Sequence, residues 1–271
     1  MNELEKIVRT FFSKECKASI YYNLNHQLFD NVIRNIRSYE RPDMLSIFEN
    51  KVIGIEHFEF DSFNRNGKGS EYRTNEFKVQ KRFKKLMQEE FRHKDSVSVY
   101  DKITGNSSMK NYFNNFQKNF LNHYNKIDDY IEHIKKDFNC LNEEIHICFF
   151  AEDVSPLGSM YVKDGKQGML TPLYSDEIIK MLENSPKVEY LIIGTYATSE
   201  HELIIIENKS ETLERYKNEH PRIEENDFIS FQPDTIGFAI KIPNNQIEKI
   251  INQEQTYENK LHWKNTLTRW L

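Results

Sequence analysis

The chain has 271 residues, of which 38% are hydrophobic and 29% charged, with a formal net charge of -5. That composition excludes a disordered or fibrous protein and supplies enough apolar material for a sizeable core. No apolar run reaches the roughly 20 residues that span a bilayer, and the net charge excludes a uniformly basic nucleic-acid surface while leaving room for a local basic patch.

In chain order, residues 3–38 read as helix. Leu4, Ile7, Val8, Phe11 and Phe12 form one apolar stripe, and Leu28, Val32, Ile33 and Ile36 a second. The helix should stop before Pro42. Residues 43–48 and 51–61 alternate as two strands around the polar turn Glu49-Asn50-Lys51. A polar Gly loop, 64–70, leads into a basic helix at 71–93. A second long helix is expected over 108–138, where Tyr112, Phe113, Phe116, Phe120, Tyr124, Ile127 and Ile131 recur at helical spacing. Strands follow at 144–150, 190–196 and 202–207, with a short helix at 175–184 between the first two. A last strand at 235–242, a helix at 245–253 and a helical tail carrying Trp263 and Trp270 close the chain. The alternation predicts one α/β domain over 1–271. Its parts are N-terminal helices (1–40), a hairpin (41–63), a helical insertion (70–138), the remaining sheet (144–242) and a C-terminal tail (243–271). The insertion falls between the second and third core strands.

Chemistry concentrates in the hairpin. Along the second strand Gly54, Glu56, Phe58 and Phe60 share one face, and Ile55, His57, Glu59 and Asp61 the other. Asp43 lies on the neighbouring strand, within cross-strand reach. Asp43 and Glu56 can hold a hard cation, with carbonyls and waters completing an oxygen shell. Such an ion activates water against a phosphodiester.

Pro42-Asp43, twelve intervening residues, then Glu56-His57-Phe58 resembles the restriction-endonuclease-like, or PD-(D/E)XK, nuclease superfamily. The resemblance covers residues 28–61 and a compatible strand order afterwards. It implies a mixed central sheet flanked by helices, and a nuclease that binds Mg²⁺ or Mn²⁺ through Asp43 and Glu56. DNA would be the substrate, in phage defence or mobile-element biology of a bacterial cytoplasm. Phe58 stands where the family has a Lys that orients the attacking water. Some members bring that Lys from a nearby helix, which makes Lys68, Lys78, Lys81 and Lys85 the candidates. Lys78 and Lys81 rank above Lys68, which sits on the Gly loop and is poorly supported. Glu40 could add an outer metal ligand, and His57, Glu59 and Asp61 form an alternative face.

Arg65, Lys68, Arg73, Lys78, Lys81, Arg82 and Lys85 offer donors to a phosphate backbone. Glu71, Glu76, Glu89 and Glu90 interrupt them, as on an ordinary solvated helix. Glu207-Asn208-Lys209 repeats the E-x-K string without a Pro-Asp before it. Glu152-Asp153 ends a strand beside a turn. Cys16, Cys140 and Cys148 lack metal-type spacing and fit a reducing cytosol, and the N-terminus has no secretory pattern. The class opposed to an enzyme is a catalytically inactive protein of the same fold that binds a protein partner.

Overall fold

The computed structural model describes residues 11, 17–21, 35–48, 51–66, 69–90, 105–138, 145–155, 159–196 and 201–230. The chain divides into two compact units, Met1–Ser62 with Ser108–Phe231, and Phe63–Ser107 with Gln232–Leu271.

The first unit is built on a mixed seven-stranded sheet. Its strands in chain order are β1 (Lys17–Tyr21), β2 (Arg37–Ser38), β3 (Met44–Phe48) and β4 (Lys51–Phe60), then, after two strands of the second unit, β7 (Ile145–Asp153), β10 (Tyr190–Tyr196) and β11 (His201–Glu207). They lie side by side as β1-β11-β10-β7-β4-β3-β2. β4, β7 and β10 run parallel, and β3 and β11 oppose them. The central parallel strands are covered on both faces, so β7 reads as the near-continuous apolar run Ile-His-Ile-Cys-Phe-Phe-Ala. On one face Phe58, Phe60, Ile147 and Phe149 pack with helices α2 (Met109–Tyr124) and α3 (Ile127–Phe138). On the other, Met44, Ile53, Ile55, Cys148, Phe150 and Ile192 pack with Phe11. A smaller sheet, β12-β8-β9, joins β8 (Ser159–Lys163), β9 (Lys166–Met169) and β12 (Phe228–Ser230). Helices α4 (Asp176–Glu183) and α5 (Ser210–Glu219) complete the unit.

The second unit, as described, holds the two-residue strands β5 (Arg65–Asn66) and β6 (Gly69–Ser70) and helix α1 (Glu71–Glu90). Phe63 stacks on Tyr72 at 4.8 Å, and the Asn106 amide donates to Glu71 Oε2. No helix among the described residues is long and apolar enough to cross a membrane.

The α/β class and the mixed sheet flanked by helices stand as expected, as do the hairpin and the strands at 190–196 and 202–207. Two expectations need correction. Residues 17–21 and 35–38 are not helical: 17–21 form an edge strand that pairs in parallel with β11, Lys17 opposite Glu202, and Arg37–Ser38 pairs antiparallel with β3. The segment 17–21 lies between the two apolar stripes, and its conformation is set by long-range pairing with β11. The segment 108–138 is two helices broken at Asn125-Lys126. The Asn125 amide bonds back to the Leu121 and His123 carbonyls, and Asp128 and Asp129 follow in the first turn of α3, where its dipole favours acids. The expected strand at 235–242, helix at 245–253 and tail lie outside the described residues.

Candidate active site

The hairpin brings Asp43 and Glu56 together. Met44 pairs with Ile55, so one step further Asp43 stands opposite Glu56. Gly54 allows this approach. A Cβ there would meet Pro42 Cγ at 2.8 Å, so only glycine lets the Pro42 ring lie on β4 and seat Asp43 beside it. Asp43 Oδ2 accepts the His57 backbone N–H at 2.8 Å. Burial, and then the charge of Glu56, raise the Asp43 carboxyl above the usual range, against the His57 amide and the imidazoles of His57 and His123.

Glu56 is 7% exposed and faces helices α2 and α3. Its Oε1 accepts the Tyr130 hydroxyl at 2.8 Å and lies 2.6 Å from His123 Nδ1. Burial and the neighbouring Glu56 carboxylate hold the Tyr130 hydroxyl above its ordinary range, so it remains a neutral donor. Phe58, the residue at the motif-lysine position, is 4% exposed and stacks on the His123 ring at 5.5 Å and 15°.

β4 outruns β3, and side chains close the edge left open. Residue 57 and alternate residues after it present their amides and carbonyls to that edge. His57 N–H goes to Asp43. The Glu59 carbonyl accepts from Asn119 Nδ2 at 2.7 Å, and the Asp61 carbonyl from Asn115 Nδ2 at 2.9 Å. Asn115, Asn119 and His123 are spaced by four on α2 and descend along β4 from Asp61 to Glu56. This polar ridge sets the register that delivers His123 to Glu56. It flanks the apolar stripe in the sequence, and that four-residue spacing is the signal by which His123 could have been found.

On the opposite face His57 Nε2 lies 3.0 Å from Glu152 Oε2, and the ring rests on Phe150 at 5.2 Å. Burial pulls the imidazole down, but the Glu152 bond and the charges of Glu152, Glu59 and Asp43 outweigh it and hold His57 above the usual histidine range. Glu152 and Asp153 are therefore strand residues bound to opposite faces. Asp153, 1% exposed, accepts the Ser155 amide and lies by the Tyr112 hydroxyl, which donates to the Leu170 carbonyl. Burial pushes its carboxyl up to about 7; Ser155 and Tyr112 oppose the rise, and Asp61 adds to it.

Glu207-Asn208-Lys209 is a corner. Lys209 Nζ pairs with Glu207 Oε1 at 2.6 Å, and Asn208 Nδ2 donates to the carbonyls of Leu182, Ser185 and Val188. Glu40 is exposed. Arg65, Arg73, Lys78, Lys81, Arg82 and Lys85 belong to the second unit and are exposed, with Lys78 Nζ donating to Asn75 at 3.2 Å. Lys68 and the Glu49-Asn50 turn lie outside the described residues. Among the described residues, no group of three or more His, Cys, Asp or Glu side chains is arranged to hold a metal. Two carboxylates completed by water and carbonyl oxygens are the composition a small hard cation takes.

No protein-family model, no characterised protein and no solved structure matches the chain significantly.

Proposed function

We propose that the chain is a metal-dependent phosphodiesterase of the restriction-endonuclease-like type, acting on DNA. The observation that carries the reading is Asp43 opposite Glu56 at the point where β3 ends beside a longer strand, in a sheet whose next strand runs parallel. Burial and the neighbouring Glu56 raise the proton affinity of Asp43, a crowding of negative charge that a divalent cation would relieve. Asp43 and Glu56 are the residues that would hold Mg²⁺ or Mn²⁺. An ion held there supplies a bound water of lowered pKa and neutralises charge on the phosphate oxygens. Tyr130 and His123 fix the Glu56 carboxylate, and the His57 amide fixes Asp43. The basic side chains Arg65, Lys68, Arg73, Lys78, Lys81, Arg82 and Lys85 would hold the DNA backbone. A place in phage defence or mobile-element biology follows from the family resemblance alone.

A second reading has its own support. Phe58 fills the lysine position and is buried, and Glu56 Oε1 already receives two hydrogen bonds. A closed carboxylate of that kind suits an inactive protein of this fold that recognises a protein partner.

Manganese titration separates the two. A ligand that binds only the folded state raises Tm, so millimolar Mn²⁺ should stabilise the wild type measurably. The double variant Asp43→Asn with Glu56→Gln should lose that shift and any cleavage of single- or double-stranded DNA. An unchanged melting curve together with no cleavage of DNA or RNA would leave the interaction protein as the better account.

A further inference from the structure

We infer that His123 takes the part of the missing motif lysine, anchoring Glu56 through Nδ1 and offering Nε2 to the attacking water. The inference rests on the nuclease reading and names a residue in that site.

Geometry carries it. His123 Nδ1 lies 2.6 Å from Glu56 Oε1, which also accepts the Tyr130 hydroxyl, so the imidazole is the donor in this contact. With Nδ1 committed to Glu56, Nε2 is the ring nitrogen left to meet a water. The ring stacks on Phe58, the residue that replaces the lysine, and so stands over the motif position itself. Its side chain is 22% exposed against 9% for Glu56, so water reaches the imidazole more readily than the carboxylate. Asn115 and Asn119 clamp the same helix to β4 and hold the ring in place. A carboxylate ligand is commonly oriented by an outer hydrogen bond whose loss costs about 10–100-fold in metal affinity. A misplaced nucleophile costs on the order of 10²-fold in rate.

The two jobs come apart in two substitutions of the full chain. His123→Asn keeps a donor near Nδ1 and has nothing at Nε2. His123→Ala removes both. Mn²⁺ affinity by calorimetry and cleavage rate on DNA are measured for each, with circular dichroism to confirm the fold. The expected result is about 10-fold or greater loss of Mn²⁺ affinity in His123→Ala, near wild-type affinity in His123→Asn, and cleavage at least about 10²-fold slower in both. If His123→Ala does not fold, His123→Gln, which keeps a polar group near Nε2 and not near Nδ1, replaces it with the same expected loss of affinity. Wild-type Mn²⁺ affinity in the Ala or Gln variant overturns the anchoring of Glu56. Wild-type cleavage by His123→Asn overturns the role of Nε2. A wild-type protein that neither binds Mn²⁺ nor cuts overturns the nuclease reading, and this inference with it.

Discussion

Asp153 carries a cost that depends on pH. Its carboxyl moves from an ordinary value of 3.8 to about 7 because folding takes it out of water. Between those values the folded chain keeps a proton that the unfolded chain has released. Stability therefore falls as pH rises through that window, and the loss is complete above about 7. At roughly 1.4 kcal/mol for each pH unit the loss is at most about 4 kcal/mol. Asp153→Asn keeps an acceptor for the Ser155 amide and cannot ionise. It should match the wild type in urea melts near pH 4 and exceed it at pH 8. Parallel stability–pH curves for the two proteins would show that Asp153 is not the group responsible. His57 moves stability in the same direction with pH, through a gain that is lost rather than a cost that appears. Its raised value means the contribution of its pairing with Glu152 is complete below about 6.5 and fades as pH climbs through the folded value.

At the scale of elements, α2 is joined to β4 by side chains rather than by packing alone. Asn115 and Asn119 satisfy carbonyls that β3 is too short to pair, and those carbonyls lie beside the apolar core. Asn119→Ala should cost about 1–3 kcal/mol in chemical denaturation, since it strands an acceptor. Asn119→Ala with Asn115→Ala should also weaken Mn²⁺ binding, because His123 then loses its register against Glu56. A double variant of unchanged stability would mean that water replaces both amides. The sequence made part of this legible. The hairpin is local, with a period of two and a polar turn, so its strands and the opposition of Asp43 to Glu56 could be read directly. The break at Asn125 could not, because Ile127, Tyr130 and Ile134 continue the stripe of Phe116 and Phe120. β1 was hidden because its partner Glu202 is remote in sequence. The β8–β9 hairpin did announce itself through Asp164-Gly165, whose φ angles of 51° and 73° suit a two-residue turn of this composition; reading by apolar periodicity passes over it. His123 belongs to no catalytic motif, and its spacing with Asn115 and Asn119 marks a polar ridge without saying what the ridge meets. Only the fold supplies the strand that gives it a task.

For the whole molecule, a net charge of -5 means that attraction to a polyanion must be local and short-ranged. Helix α1 is where it would act. Lys78, Lys81 and Lys85 recur at three and four residues, so they share one flank, and all three are exposed. Phe77 beside them is 57% exposed, an unusual position for a large aromatic side chain. Charge and ring predict different effects. If the three lysines meet phosphates, their joint replacement by Gln should weaken DNA binding about equally for all sequences. The slope of log affinity against log salt should fall by about 0.9 for each phosphate that is no longer neutralised on duplex DNA, close to 3 if all three lysines are engaged. Phe77→Ala should leave that slope unchanged and instead weaken single strands by about 1–3 kcal/mol, since a base must be unpaired to stack on it. Fluorescence anisotropy with duplex and single-stranded oligonucleotides across a salt series reads both effects. A triple variant whose slope matches the wild type would make α1 an ordinary solvated helix, in keeping with the four glutamates that interrupt its basic residues, and would move the search for the nucleic-acid surface to the sheet unit that carries Asp43 and Glu56.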